Sequence, residues 1–273
     1  MKIAITGSTG LVGARIVELL QKDFTFIPLI HHSLDITDEN QVRTALSERE
    51  YDMLLHLAAY TNVDGAETEK GQAYAINVKG TENLFTVTKE RGKKFIYFST
   101  DFVFDGRNPP YTEDSKPHPI GYYGQSKWEG EQVLKDEATI VRISYPYGNS
   151  PSSKPDFARR IKSLLEQGKE LNMVSDSSMT PTHIDDIAGA VRYLINNPRQ
   201  GIFHIVGSQT VSPFESGQMI AKQFGYSLDL IKPTTYEEYM KGKALRPQYS
   251  EIKSNKNTFQ IMKSFEEGLK NLS

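Results

Sequence analysis

A phenol and an ammonium stand four residues apart in Tyr123-Gly124-Gln125-Ser126-Lys127. On a helix that spacing puts both groups on one face. A tyrosine titrates near pH ~10 and is a poor acid or base at neutral pH, but a neighbouring ammonium stabilises phenolate and is expected to lower that value. Such a tyrosine could give a proton to a carbonyl oxygen as hydride arrives at the carbon, while the lysine also holds a nicotinamide ribose. A Tyr–Lys pair at this spacing is common by chance, so its weight comes from its place just before a predicted strand. Two hydroxyls end an earlier apolar run, Phe95-Ile96-Tyr97-Phe98-Ser99-Thr100-Asp101. In an open parallel sheet, ligands collect at the carboxyl ends of strands. Thr100 is favoured for bonding and stabilising the substrate oxygen, and Ser99 for local structure.

The group that would deliver hydride needs its own cradle. Thr6-Gly7-Ser8-Thr9-Gly10-Leu11-Val12-Gly13 follows the first apolar run and opens a helix. Gly7 permits a tight turn, Gly10 lets backbone approach a pyrophosphate, and Gly13 allows close helix–sheet packing. The free N–H groups of that helix start favour phosphates. Thr9, Leu11 and Val12 are counted with the glycines as cofactor contacts. Small residues in Leu57-Ala58-Ala59-Tyr60 would let a cofactor lie against the backbone. The second predicted strand ends in His31-His32-Ser33, without the acid that would bind both adenosine ribose hydroxyls. NADP is therefore permitted beside NAD, and slightly favoured. Asp35 and Ile36 are placed for the adenine edge, whereas the two histidines read as an exposed polar turn.

Short apolar runs alternate with amphipathic stretches and set the frame for these groups. Strands are predicted at Lys2–Thr6, Phe24–Ile30, Met53–Leu57, Phe95–Ser99 and Thr139–Ile143. Helices are predicted at Leu11–Leu20, Thr37–Glu48, Ala66–Arg91 (one long stretch) and Tyr123–Lys135. Prolines 146, 151 and 155 mark a long loop. Beyond it come a helix at Phe157–Gln167, a strand at Leu171–Val174 and a helix at Ile184–Ile195. A strand at Ile202–Val206 and helices at Phe214–Phe224 and Phe259–Leu269 complete the pattern. The expectation is an α/β fold, a Rossmann-like doubly wound parallel sheet with a smaller C-terminal substrate-binding lobe. Residues 1–144 would bind the dinucleotide, residues 145–273 would form mainly the lobe, and about 183–206 would return to the sheet.

Composition narrows the partners. The 273 residues carry a formal charge of -2 with 38% hydrophobic and 24% charged residues, which argues for a packed globule and against nucleic acid as ligand. There is no cysteine, so disulfides, thiolate metal sites and Cys nucleophiles are excluded. No apolar run reaches membrane-spanning length and no secretory pattern opens the chain, so a cytoplasmic protein without membrane contact is expected. Six histidines show no ligand spacing, and Asp185-Asp186 read as helix caps, so no metal ligand is assigned.

These residues together resemble the dTDP-4-dehydrorhamnose reductase family of extended short-chain dehydrogenases. The matching segments are Thr6 to Gly13, His56 to Glu67, Ser99-Thr100-Asp101-Phe102-Val103-Phe104-Asp105-Gly106, Tyr123 to Glu131 and Arg142 to Gly148. Weaker matches run through Pro181-Thr182, Gly201 to His204 and Arg246-Pro247. The resemblance implies a Thr100, Tyr123, Lys127 catalytic set. It implies NADPH or NADH as donor and a dTDP-linked 4-keto-6-deoxy sugar as acceptor. It also implies that Thr61 and Val63 border the sugar, that Phe102 and Tyr145 lie near sugar or nucleotide, and that Arg246 lies near the diphosphate. Two positions depart from the family pattern: Phe102 stands where Tyr is usual, and Tyr145 where Trp is frequent. Some relatives bind magnesium, for which no ligands can be mapped here. The state of association is expected to be monomer or homodimer. Alternatives are a sugar-nucleotide epimerase that retains NAD and a non-catalytic NADP-binding subunit like the methionine adenosyltransferase beta subunit. A dehydratase would need a second acid where Phe102 stands.

Overall fold

The computed structural model describes residues 1–272; Ser273, the last residue of the expected lobe, lies outside the described residues. The apolar runs of the first half form β1 (Lys2–Thr6), β2 (Thr25–Leu29), β3 (Met53–His56), β4 (Lys94–Thr100) and β5 (Thr139–Ile143). Between them lie α1 (Leu11–Leu20), α2 (Glu39–Ser47), α3 (Gly65–Thr68), α4 (Lys70–Tyr74), α5 (Gly80–Glu90) and α6 (Tyr122–Gln132). The second half runs β6 (Pro146–Tyr147), α7 (Phe157–Glu166), β7 (Leu171–Val174), β8 (Ser178–Met179), β9 (Thr182–His183), α8 (Ile184–Asn196) and β10 (Gly201–His204). It ends with α9 (Pro213–Phe224), β11 (Ile231–Thr234), α10 (Tyr236–Met240), β12 (Tyr249–Ser250) and α11 (Phe265–Leu269).

Six strands make one parallel sheet in the order β10-β5-β4-β3-β1-β2. β3 is buried at every residue, and β4 at all but its first, because helices cover both faces. On one face Ile3, Ile5 and Val141 pack against Ile16 of α1 and Ile187 and Val191 of α8. On the other, Ala4, Leu54 and Tyr97 pack against Val42 of α2 and Leu84 of α5. A third cluster joins α7, α9 and α11 through Ala158, Ile220 and Phe265 beside the sheet. The chain runs outward from β1 to β2, then returns to the other side of β1 as β3. The reversal opens a crevice between the carboxyl ends of β1 and β3, where Thr6 pairs in register with His56.

Two predicted helices differ. The stretch Ala66–Arg91 is not one helix: it is α3, α4, a π-helical turn at Ala75–Lys79, and α5. The wider turn carries Asn77 inward, where its carboxamide accepts from Tyr60 N at 2.8 Å and donates to Ser126 Oγ at 2.9 Å. The predicted helix Phe259–Leu269 shrinks to Phe265–Leu269. Its true start is a capping box of Ser264 and Glu267. Before it, Phe259 stacks flat on Tyr193 with ring centres 4.2 Å apart, and Lys263 N donates to Asp186 Oδ2 at 2.8 Å. These contacts fix residues 259–263 on α8 as a non-helical strap.

Behind α6 lies a fully buried ion pair. Arg142 of β5 donates twice to Glu131 of α6, at 2.9 and 2.6 Å. With each charge out of water, the pair holds only while both members are present. Arg142→Met is expected to cost about 3–5 kcal/mol in urea unfolding by stranding the Glu131 carboxylate, and the double variant Glu131→Leu/Arg142→Met to recover most of that loss.

Candidate active site

The crevice is shaped by a close contact between two backbones. Gly7 has φ +69°, and a Cβ there would lie 2.7 Å from both Ala58 N and Leu57 C. A Cβ on Gly13 would lie 2.2 Å from the Gly7 carbonyl oxygen. Only glycine fits either place. Gly10 N donates to Gly7 O at 3.0 Å, and α1 starts there without a side-chain cap, leaving first-turn N–H groups available to an anion.

Beneath this contact runs a chain of buried hydrogen bonds. Thr81 Oγ1 donates to Asn77 O at 2.7 Å and so receives the bond from His56 Nε2 at 3.0 Å. His56 Nδ1 is then the acceptor for Thr6 Oγ1 at 2.7 Å. Thr6 Oγ1 in turn accepts from Leu57 N and Ala58 N, at 3.2 and 3.1 Å. Burial, helped by the Lys127 charge, pushes the His56 pKa down to about 3, so the imidazole stays neutral and can fill both roles.

Two clefts meet over the glycine turn. One of about 560 Å³ contains Gly7, Thr9, Gly10, Leu11, Val12 and Gly13 together with Leu57, Ala58 and Ala59. It also contains Ser99, Thr100, Tyr123 and Lys127, together with Thr61, Val63, Phe102 and Tyr145. The second, of about 470 Å³, is lined by Asp35, Ile36 and His31 and shares Gly7, Thr9, Ala58 and Ala59 with the first. Two singled-out residues line neither. Tyr60 turns its hydroxyl to Glu69 at 2.6 Å, and Arg246 is paired with Asp64 at 2.9 Å. Sequence reasoning missed Asp101, Lys154 and Asp156 on the first cleft and Gln72 on the second. Asp156 had a signal, since it caps α7 just before Phe157.

Tyr123 and Lys127 lie on successive turns of α6 and face the end of β4. Lys127 Nζ donates to Phe98 O at 2.8 Å and sits 4.1 Å from the centre of the Tyr97 ring. Burial pushes its pKa down to about 7, with the Glu131 charge opposing. Phe102 packs edge-on against Tyr123, ring centres 5.5 Å apart. The Tyr123 pKa is pushed up to about 12 by burial, opposed by the Thr100 hydroxyl and reinforced by Asp101. The sequence expectation of a lowered value is thus corrected: desolvation dominates the phenol, and burial also weakens the charge on Lys127. The Tyr145 phenol is likewise raised by burial, and its backbone is left-handed at φ +39°. No group of three or more His, Cys, Asp or Glu side chains suited to a metal occurs among the described residues, and no helix among them is long and apolar enough to cross a membrane.

A family model described as the RmlD substrate binding domain matches residues 1–272. A probable low-salt glycan biosynthesis reductase of Haloferax volcanii is 32% identical over 263 residues, covering 90% of this chain and 87% of the relative. A dTDP-4-dehydrorhamnose reductase of Sinorhizobium fredii is 33% identical over 223 residues, covering 78% of this chain and 74% of its own. A crystal structure of dTDP-4-dehydrorhamnose reductase from Bacillus anthracis in complex with NADP superposes with a TM-score of 0.91 at 34% identity, covering 98% of this chain and 96% of that one.

The backbone contact generates a direct test. Gly13→Ala is expected to weaken binding of a nicotinamide dinucleotide at least about tenfold, because α1 must move off the Gly7 turn. Gly71→Ala, where a Cβ would meet nothing within 4 Å, is the control and is expected to bind as the parent does in a fluorescence titration.

Proposed function

The chain belongs to the RmlD substrate binding domain family, the family of dTDP-4-dehydrorhamnose reductases, and from that premise we propose that it uses NADPH or NADH to reduce the 4-keto group of a dTDP-linked 4-keto-6-deoxy sugar. The observation that carries this reading is the pair of clefts joined over the Gly7 turn, with Tyr123 and Lys127 lining only one of them. A dinucleotide has the same form, two nucleosides joined by a pyrophosphate.

The chain's residues fit such a cofactor. The glycine turn excludes Cβ atoms where a pyrophosphate would pass, and Asp35 and Ile36 flank an adenosine-sized space. His31 in place of an acid removes repulsion against a 2′-phosphate, which supports NADPH over NADH. When bound, the cofactor supplies hydride to the keto carbon. Tyr123 gives its proton to the keto oxygen, and the nearby Lys127 ammonium offsets the negative charge left on the phenol. A phenol held at about 12 keeps its proton through the neutral range, as a donor must. Thr61, Val63, Phe102 and Tyr145 border the sugar, while Arg246 would have to leave Asp64 to meet the diphosphate. In this reading residues 1–144 chiefly hold the dinucleotide and lend Thr61, Val63 and Phe102 to the substrate side, residues 145–273 form mainly the substrate lobe, and about 183–206 return to the sheet. Phe102 removes a hydroxyl from the sugar side, so the sugar accepted is expected to present an apolar face there.

The test is net loss of NADPH absorbance with dTDP-4-keto-6-deoxyhexoses as substrates. Turnover is expected, and Tyr123→Phe is expected to lower kcat by about 10²–10⁴-fold with dinucleotide binding retained. Absence of turnover with every such ketone, while the dinucleotide binds, would sink the reading.

A further inference from the structure

Asp101 lines the cleft without belonging to the glycine turn or the Tyr123–Lys127 pair, and its surroundings are unusual for a carboxylate. It is 2% exposed, yet no Lys, Arg or His among the described residues bonds to it. Its partners are hydroxyls from three separate parts of the chain. Thr100 Oγ1 donates to Oδ1 at 3.1 Å, Ser144 Oγ donates to Oδ2 at 2.9 Å, and Ser250 Oγ of β12 also donates to Oδ2. An ionised carboxylate can only accept, so three converging O–H donors are the partners that an anion there requires.

The consequence falls on Thr100. Its single proton is committed to Asp101, and one lone pair already accepts from Phe102 N at 3.3 Å. What remains facing the cleft is a lone pair, which can receive a hydrogen bond and cannot give one. We propose that ionised Asp101 is a positioning residue that fixes the Thr100 hydroxyl as an acceptor toward the cleft, leaving Tyr123 as the sole side-chain proton donor to the keto oxygen. The inference rests on the reductase reading above and changes the role of Thr100 within it. Thr100 does not compete with Tyr123 for the ketone; its free lone pair is left to receive a bond from the new sugar hydroxyl. Protonation of Asp101 would reverse the polarity, because the carboxylic acid would donate to Thr100 and turn the threonine proton into the cleft. Burial raises the Asp101 pKa while the three hydroxyls pull it back down. The other titratable groups that face it are Tyr123 from α6 and Tyr145 from the segment after β5, with Lys127 on the same cleft.

The experiment is the pH profile of kcat for ketone reduction at saturating NADPH. The parent enzyme must first turn over; if it does not, the reductase reading fails and not this one. Asp101→Asn, whose amide can donate to Thr100, is expected to lower kcat at least about tenfold with the KM for NADPH nearly unchanged, and to abolish the acid limb of the profile. Ser250→Ala removes one donor from outside the cleft and serves if Asp101→Asn does not fold. It is expected to move the acid limb to higher pH, since the carboxylate loses a bond that stabilises its charge. An acid limb that survives in Asp101→Asn, or that stays in place in Ser250→Ala, overturns the inference.

Discussion

The approach of the Gly7 turn to the Leu57–Ala58 backbone sets the geometry of everything at the carboxyl edge of the sheet. With a Cβ excluded from residues 7 and 13, α1 starts close enough to β3 that the two clefts share a floor. The contact is made between peptide groups, so its polar atoms need partners within the protein. The sequence of bonds from Asn77 through Thr81, His56 and Thr6 to the Leu57 and Ala58 amides supplies them. A neutral His56 is required at the centre, because a charged ring would have two donors and Thr6 could not give its proton to Nδ1. The same buried environment that keeps His56 neutral raises the Tyr123 phenol and lowers the Lys127 ammonium.

That shared desolvation acts on three titratable groups, holding His56 and Tyr123 neutral and weakening the charge on Lys127. Burial acts on each toward its neutral form, and the remaining charges are tied down by specific bonds. Lys127 has the Phe98 carbonyl and the Tyr97 ring, and Asp101 has its three hydroxyls. Further along the α6 face, Glu131 is matched by Arg142. A cleft of this kind is preorganised: its dipoles are already aimed before a reacting group arrives, and little reorganisation is left for the reaction step.

Much of this was readable from residue type and spacing, for reasons that can be named. The glycine turn was legible because backbone conformation and close approach admit only one residue type at positions 7 and 13. The strands of the main sheet were legible because a sheet covered on both faces needs uninterrupted apolar runs, and β1 and β5 fall on the predicted bounds. The helix break at Ala75–Lys79 was not, because the apolar spacing continues through it and only the tertiary demand for Asn77 at Tyr60 selects the wider turn. The strap at 259–263 was read as helix since its apolar residues have helical spacing, although Ser264 and Glu267 carry the start signal. Asp101 could be quoted from its motif, but its meaning depends on Ser144 and Ser250, which are 43 and 149 residues away. Arg246 was expected toward the ligand, and its pairing with Asp64 across 182 residues has no local signature.

The central claim is that hydride passes from a dinucleotide lying across the Gly7 turn to a carbon held beside Tyr123. It is tested most directly with NADPH deuterated at the transferable C4 position and a dTDP-4-keto-6-deoxyhexose, followed by mass analysis of both products. One deuterium is expected on the sugar carbon that bore the ketone, with oxidised cofactor formed in equal amount. A reduced sugar without the label, or a label that returns to the cofactor while the sugar changes only its configuration, would contradict the account.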